Sequence, residues 1–201
     1  LSLGQPRSIT VQILGEVNAP GTYSVTSLTS MMNALYLSGG PNEIGTFRKV
    51  NLVRNNEIAA TLDLYDILTK GFSPSDVLLR DQDVIQVGTF VSRMAVEGNV
   101  KRPGLFELLP GQRLIDLVNY AGGFGPDAYS KQLKVYRNTS REKRIVNVNK
   151  IDFDAFSMND GDSLVVDQIL KRFENLITIE GAVFRPGEFS LDNNPTLLSL
   201  I

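Results

Sequence analysis

Alternating apolar and polar positions predict strands near the start of the chain. Residues 8–14 alternate in this way and are rich in Ile and Val, and residues 22–25 follow the same pattern. Such alternation is typical of a strand buried on one face. Pro20-Gly21 lies between the two segments, and this pair favours a tight turn. The pattern therefore predicts a β-hairpin.

A helical pattern follows the hairpin. Four apolar residues share one helical face: Leu28, Met31, Met32 and Leu35. Ser and Thr residues precede them as candidate N-caps, and Gly39-Gly40 follows as a stop signal. Three further strands are predicted, at residues 49–53, 57–62 and 84–87, with a short helical connection before the last. This order predicts an α+β fold, in which one helix packs across a mixed sheet.

The hairpin sequence recurs along the chain. The segment ILGEVNAPGTYSV at residues 13–25 returns as VEGNVKRPGLFEL at 96–108 and as IEGAVFRPGEFSL at 179–191. The leading glycines Gly15, Gly98 and Gly181 are separated by the same interval of 83 residues. A second helix is predicted around Leu114 to Ala121, and further strands at 132–136, 143–148 and 163–166. The repetition indicates tandem copies of one fold.

The repeat sets the expected domain bounds. We expect a first domain at residues 9–88, a second at 92–167, and the truncated start of a third at 177–201. A lone hairpin is marginally stable in water, so we expect the third segment to dock on the second domain or on a neighbouring chain. The first ten residues do not resemble a signal peptide, and we expect the chain to be a piece of a longer protein.

The ordered motifs resemble a known family. The pattern G-x-V-x-x-P-G-x-[Y/F] is followed by a helix, [A/S]-G-G, a strand ending in Arg, and D-x-D before the last strand. It resembles the soluble ligand-binding β-grasp (SLBB) domain of outer-membrane polysaccharide export proteins. The resemblance implies tandem ubiquitin-like β-grasp domains in the periplasm. It also implies two partners, namely other subunits of an export ring and an inner-membrane copolymerase.

Composition narrows the chemistry. The chain has no Cys and no His, which excludes disulfides, thiolate nucleophiles, Ser/His/Asp relays and the usual zinc sites. Twenty Lys and Arg face twenty-two Asp and Glu, a net charge of −2, so no global basic field recruits nucleic acid or an anionic membrane. We expect no catalytic residues, no metal, no cofactor and no direct membrane insertion by this chain.

Paired carboxylates precede the last strand of each full repeat. Asp81 and Asp83, like Asp160 and Asp162, have the D-x-D spacing of cation-binding carboxylates in nucleotide-sugar transferases. An enzyme that acts on glycans is therefore one hypothesis. Side-chain turns at this position are the alternative that we favour, since no nucleotide-binding pattern accompanies the pairs.

The candidate ligand-binding residues lie around the loops that follow each helix. Arg54 and Arg137 recur at a strand end, where a planar guanidinium can bind a sugar hydroxyl or a carboxylate; bracing of a loop is the alternative that we favour. Phe124 and Tyr129 lie in a Gly, Pro and Asp-rich loop, where an aromatic face suits a sugar ring or a second subunit.

Two functions follow from these residues and from the resemblance. The first is a non-catalytic periplasmic scaffold of a capsule or exopolysaccharide export protein, which uses strand edges to contact other proteins. The second is a carbohydrate-binding module, in which the loops after each helix contact the exported polymer. Polysaccharide is therefore a further candidate partner.

Overall fold

A computed structural model describes residues 7–200. Residues 1–6 and Ile201, the last residue of the predicted third repeat, lie outside the described residues. The chain divides into two compact units, one up to Gln168 and one from Ile169 onward.

The first domain contains five strands and two helices: β1 Ser8–Gly15, β2 Gly21–Thr26, α1 Met31–Leu37, β3 Gly45–Arg54, β4 Glu57–Leu62, α2 Leu64–Lys70 and β5 Val84–Thr89. Its sheet has the order β2-β1-β5-β3-β4. Strand β1 pairs parallel with β5, and the other neighbours are antiparallel. The sheet is therefore mixed.

The second domain repeats this topology. Its elements are β6 Arg93–Gly98, β7 Gly104–Glu107, α3 Leu114–Tyr120, β8 Gln132–Asn138, β9 Lys143–Asn149 and β10 Ser163–Val166. The sheet order is β7-β6-β10-β8-β9, with β6 and β10 parallel. A single 3₁₀ turn, Lys150–Asp152, occupies the place of α2. The predicted tandem α+β β-grasp fold is confirmed.

The core of each domain follows from the alternation in its strands. Alternate residues of β1 (Ile9, Val11 and Ile13) are buried and face the helix. Helix α1 covers them with four buried side chains: Met31, Met32, Ala34 and Leu35. The predicted apolar face of the second helix is buried in the same way, through Leu114, Leu117, Val118 and Ala121.

Leu28 departs from the predicted helical face. It lies in the turn before α1 and its side chain is 67% exposed. The helix begins later because Ser30 is its N-cap, with a side chain that accepts a hydrogen bond from Asn33 N at 3.3 Å. The helical spacing of apolar residues therefore continues beyond the N-terminus of the helix itself. The prediction that Leu28 belongs to the apolar face of the helix was wrong.

The unit from Ile169 onward contains a two-stranded antiparallel hairpin, β11 Leu176–Ile179 and β12 Gly187–Ser190, and a short helix, α4 Leu197–Leu200. The expected docking of this segment stays a prediction. Among residues 7–200, no helix has the length and apolar character needed to span a membrane.

The repeated glycine at the end of the first strand has a steric cause. Gly98 has φ +83°, and a Cβ there would lie 2.2 Å from the Val166 carbonyl oxygen; Gly15 repeats this geometry beside Val87. The parallel pair in each sheet approaches so closely at this point that only glycine fits. The first letter of the repeat motif therefore encodes strand pairing.

We predict that Gly98→Ala lowers the free energy of unfolding by about 3 kcal/mol or more, because it adds a backbone clash to left-handed strain. Gly123→Ala is the matched control, since Gly123 has φ +86° and an added Cβ meets nothing within 4 Å. That variant should lose only about 1–2 kcal/mol. Urea unfolding measures both, and equal losses would contradict the steric explanation.

Candidate functional site

The two predicted arginines bind carboxylates inside their own domains. Arg54 donates from Nε to Asp83 Oδ1 at 2.8 Å and from Nη2 to Asp83 Oδ2 at 2.7 Å. Arg137 makes the same fork to Asp162, at 3.0 and 2.7 Å. Asp83 and Asp162 are buried, and these hydrogen bonds raise the pKa of both arginines above the usual value. Each pair ties a strand end to the turn before the last strand.

The D-x-D carboxylates cap backbone groups. Asp83 Oδ2 accepts from Arg80 N at 2.7 Å, and Asp81 Oδ1 accepts from Thr10 N at 2.8 Å. Asp160 repeats the second contact with Arg93 N, also at 2.8 Å. Asp83 and Asp162 make the local side-chain contacts of the favoured turn interpretation, whereas Asp81 and Asp160 bind the backbone of a strand about 70 residues away in sequence. Within residues 7–200, no cluster of three or more carboxylates could hold a metal ion.

The loop after α3 contains the two predicted aromatics. Phe124 is half-buried and packs against the core, with its ring centroid 6.4 Å from that of Phe153. Tyr129 is 40% exposed, and its backbone N donates to Asp167 O at 2.8 Å. The structure therefore places Tyr129 at the surface and Phe124 partly in the core. The two arginines lie with Asp83 and Asp162 at the ends of β3 and β8.

A buried polar network joins the first domain to the second. Its centre is Glu107, at the end of β7, which is 3% exposed. Its carboxylate accepts from Thr46 Oγ1 at 2.7 Å and from Phe47 N at 3.1 Å, both on β3 of the first domain. Its own backbone N donates to Tyr65 Oη on α2 at 2.8 Å. One residue of the second sheet thus contacts two elements of the first domain. We call this network the junction.

Arg93 supplies the countercharge. It lies opposite Glu107 across β6 and β7, and its Nη2 donates to Glu107 Oε1 at 2.9 Å. The same guanidinium also donates to two backbone carbonyls of the first domain, those of Glu43 and Gly45. A buried carboxylate needs such donors, because burial of an unpaired charge is strongly unfavourable.

Arg48 extends the junction from the first domain. It is buried, and its Nε lies 3.0 Å from both Asp63 oxygens, while Nη1 donates to Glu107 O at 3.0 Å. Burial is the largest single influence on the pKa of this guanidinium and lowers it, but the hydrogen bond and charge of Asp63 together with the contribution of Tyr120 exceed it, so the pKa is raised. Its Cζ lies 4.4 Å from the centroid of the Tyr65 ring. The cation is therefore permanently charged and held by both a carboxylate and an aromatic face.

Aromatic packing completes the junction. The rings of Tyr65 and Tyr120 meet edge to face, with centroids 4.9 Å apart and an interplanar angle of 76°. Burial raises the pKa of the Tyr65 phenol, so its oxygen remains a neutral acceptor for the Glu107 N–H. Such pairs add stability beyond the area they bury.

Sequence analysis missed the junction, although the repeat contains a signal for it. The position of Glu107 is Ser24 in the first repeat and Ser190 in the third, and the facing position of Arg93 is Thr10 or Leu176. Among the three repeated Pro-Gly hairpins, only β6–β7 therefore carries a facing pair of opposite charge. A comparison of equivalent positions between repeats would have identified it.

We predict that Glu107→Ala uncouples the two domains and lowers the free energy of unfolding by about 3–5 kcal/mol, because it leaves Arg93 buried without its partner. Glu97→Ala on the neighbouring strand is the control, since Glu97 is exposed. Denaturant unfolding followed by NMR should show separate transitions for the two domains in Glu107→Ala only. A single unchanged transition in that variant would show that the junction does not couple them.

Comparisons with known proteins agree with the motif order. Two protein-family models, both described as SLBB domain, match the sequence, one at residues 10–87 and one at residues 93–147. The EPS I polysaccharide export outer membrane protein EpsA of Ralstonia nicotianae is 31% identical over 124 residues, which cover 60% of this chain and 32% of that protein. The polysialic acid transport protein KpsD of Escherichia coli is 25% identical over 182 residues, 90% of this chain and 32% of that protein. The chain thus spans about a third of the length of both relatives.

Proposed function

We propose that this chain, which belongs to the SLBB domain family, is a non-catalytic scaffold within a polysaccharide export protein. It acts in the periplasm as part of an outer-membrane-associated protein. Its partners are other subunits of the export ring and an inner-membrane copolymerase. The two relatives support this proposal, since one is a polysaccharide export outer membrane protein and the other is a polysialic acid transport protein.

The junction is the observation that carries the scaffold proposal. A scaffold must hold its domains at a fixed angle, and the Glu107 carboxylate is bonded from β3 of the first domain and by Arg93 of the second. Buried networks of this kind have few alternative arrangements, because every rearrangement leaves a charge without its partner. The tandem domains would thus act as one rigid spacer.

The test introduces Glu107→Ala into the full-length export protein that contains this chain. We expect surface polysaccharide to fall several-fold while the amount of the protein in the membrane fraction stays at the wild-type level. Glu97→Ala should leave export unchanged. Normal export by a Glu107→Ala protein whose domains are uncoupled in solution would refute the scaffold proposal.

Carbohydrate binding by the loops after α1 and α3 is a second candidate. The 40% exposure of Tyr129 favours it, because an exposed ring can stack on a sugar. Phe124, Arg54 and Arg137 would then contribute through their exposed atoms. An NMR titration with neutral and acidic oligosaccharides should shift the amides of residues 37–54 and 120–130, and Tyr129→Ala should abolish the shifts. The absence of saturable shifts in these loops at high oligosaccharide concentration would exclude this candidate, and shifts that Tyr129→Ala leaves intact would exclude the role of the Tyr129 ring.

A further inference from the structure

The β8–β9 hairpin of the second domain concentrates positive charge. Residues 131–150 contain seven cationic side chains and a single carboxylate, Glu142, a net charge of +6 in a chain whose total is −2. Lys134 and Arg137 are paired with Asp167 and Asp162. The other five cations are exposed, and none of them forms a salt bridge within residues 7–200: Lys131, Arg141, Lys143, Arg144 and Lys150.

Like charges face each other across this hairpin. Arg137 on β8 lies directly opposite Arg144 on β9. At the other end, Lys150 N donates to Lys131 O at 2.9 Å, so these two lysines are also neighbours. Like charges in facing positions destabilise a strand pair. Asp162 already offsets the charge of Arg137, so Arg144, Lys131 and Lys150 are the cations of these two pairs whose charge an anion along the hairpin would offset.

The first domain shows that the fold does not require these charges. In the equivalent β3–β4 hairpin, Arg54 faces Glu57, a pair of opposite charge. Residues 48–64 contain three cations and two carboxylates, a net charge of +1. Two hairpins of the same topology thus differ in charge, so this topology forms without the excess found on the second.

The position of β9 makes the charges accessible to a linear polymer. It is the edge strand of its sheet, so no strand of the second domain covers its outer side. Lys143 and Arg144 are consecutive and therefore point to opposite faces of the sheet. A flat membrane surface could contact only one of these faces, whereas an extended polyanion along the edge reaches both. Seven residues of strand span about 23 Å, enough for several sugar units.

The side chains between the cations favour a glycan over an acidic peptide. On the exposed face, Tyr136 offers a half-buried aromatic ring, and Asn138 and Asn147 offer exposed amides. Gln132 and Asn149 form a further amide pair, at 3.0 Å. Rings stack on sugar faces and amides bind hydroxyl groups, while cations bind carboxylates.

We propose that the β8–β9 hairpin binds an extended anionic polysaccharide, with Lys143, Arg144 and Lys150 on its carboxylates and Tyr136 against a sugar ring. The identification of the polyanion as a glycan rests on the proposed function. The inference that the hairpin binds a polyanion rests on its charges alone. The export assay with Glu107→Ala tests the scaffold proposal separately. If one proposal fails, the experiment on the other can therefore still be interpreted.

The experiment titrates the 201-residue chain with an oligogalacturonate and a neutral oligogalactan of the same length. We expect saturable shifts in the amides of residues 143–150 with the acidic oligomer alone, and weaker binding as salt is added. Lys143→Gln/Arg144→Glu should weaken binding by about tenfold or more. That variant should fold, because Glu at residue 144 recreates the opposite-charge pair of Arg54 and Glu57.

Lys49→Gln/Arg80→Glu is the matched control, since it makes the same charge change at exposed residues of the first domain and should bind normally. Equal binding of the neutral oligomer, or an equal loss in the control, would overturn the proposed site. Polyglutamate or vesicles of phosphatidylglycerol that bind as tightly as oligogalacturonate would overturn its assignment to a glycan.

Discussion

The buried carboxylate of Glu107 is the interaction on which the arrangement of the two full domains depends. Taking this charge out of water is costly, and the cost is offset only when all its donors are in place. Those donors come from Thr46 and Phe47 of one sheet and from Arg93 of the other. Because the donors come from both sheets, either domain alone would leave part of the network without partners. The junction therefore selects one relative orientation of the sheets.

The three repeats share a backbone pattern and differ in their side-chain chemistry. Gly15 and Gly98 occupy the same tight approach between parallel strands, so the repeat motif reports packing within a domain. The facing pair at the junction is charged in the second repeat alone. Positions common to all copies thus build the fold, and positions that differ between copies are where an individual domain acquires contacts of its own.

The distribution of charge also differs between equivalent positions of the two full domains. The net charge of −2 argued against binding of any polyanion, yet it averages over a hairpin with a net charge of +6. An ion pair is short-ranged in salt solution, since screening acts within about 10 Å, so the local density of cations matters more than the total. Arg144 and Glu57 show the contrast most directly, because they occupy equivalent positions opposite a repeated arginine.

The tandem α+β fold could be predicted from the amino-acid order, as could most strand positions and the turns at Pro20-Gly21 and its copies. These features depend on local periodicity and on backbone preferences. The order of the motifs along the chain, by which the family is recognised, is likewise visible in the sequence. The pairing of Arg54 with Asp83 and of Arg137 with Asp162, and the contact of Glu107 with the first domain, became evident in the folded chain alone. Those contacts join residues 25 to 61 positions apart, and no local pattern specifies which distant partner a charged side chain will meet.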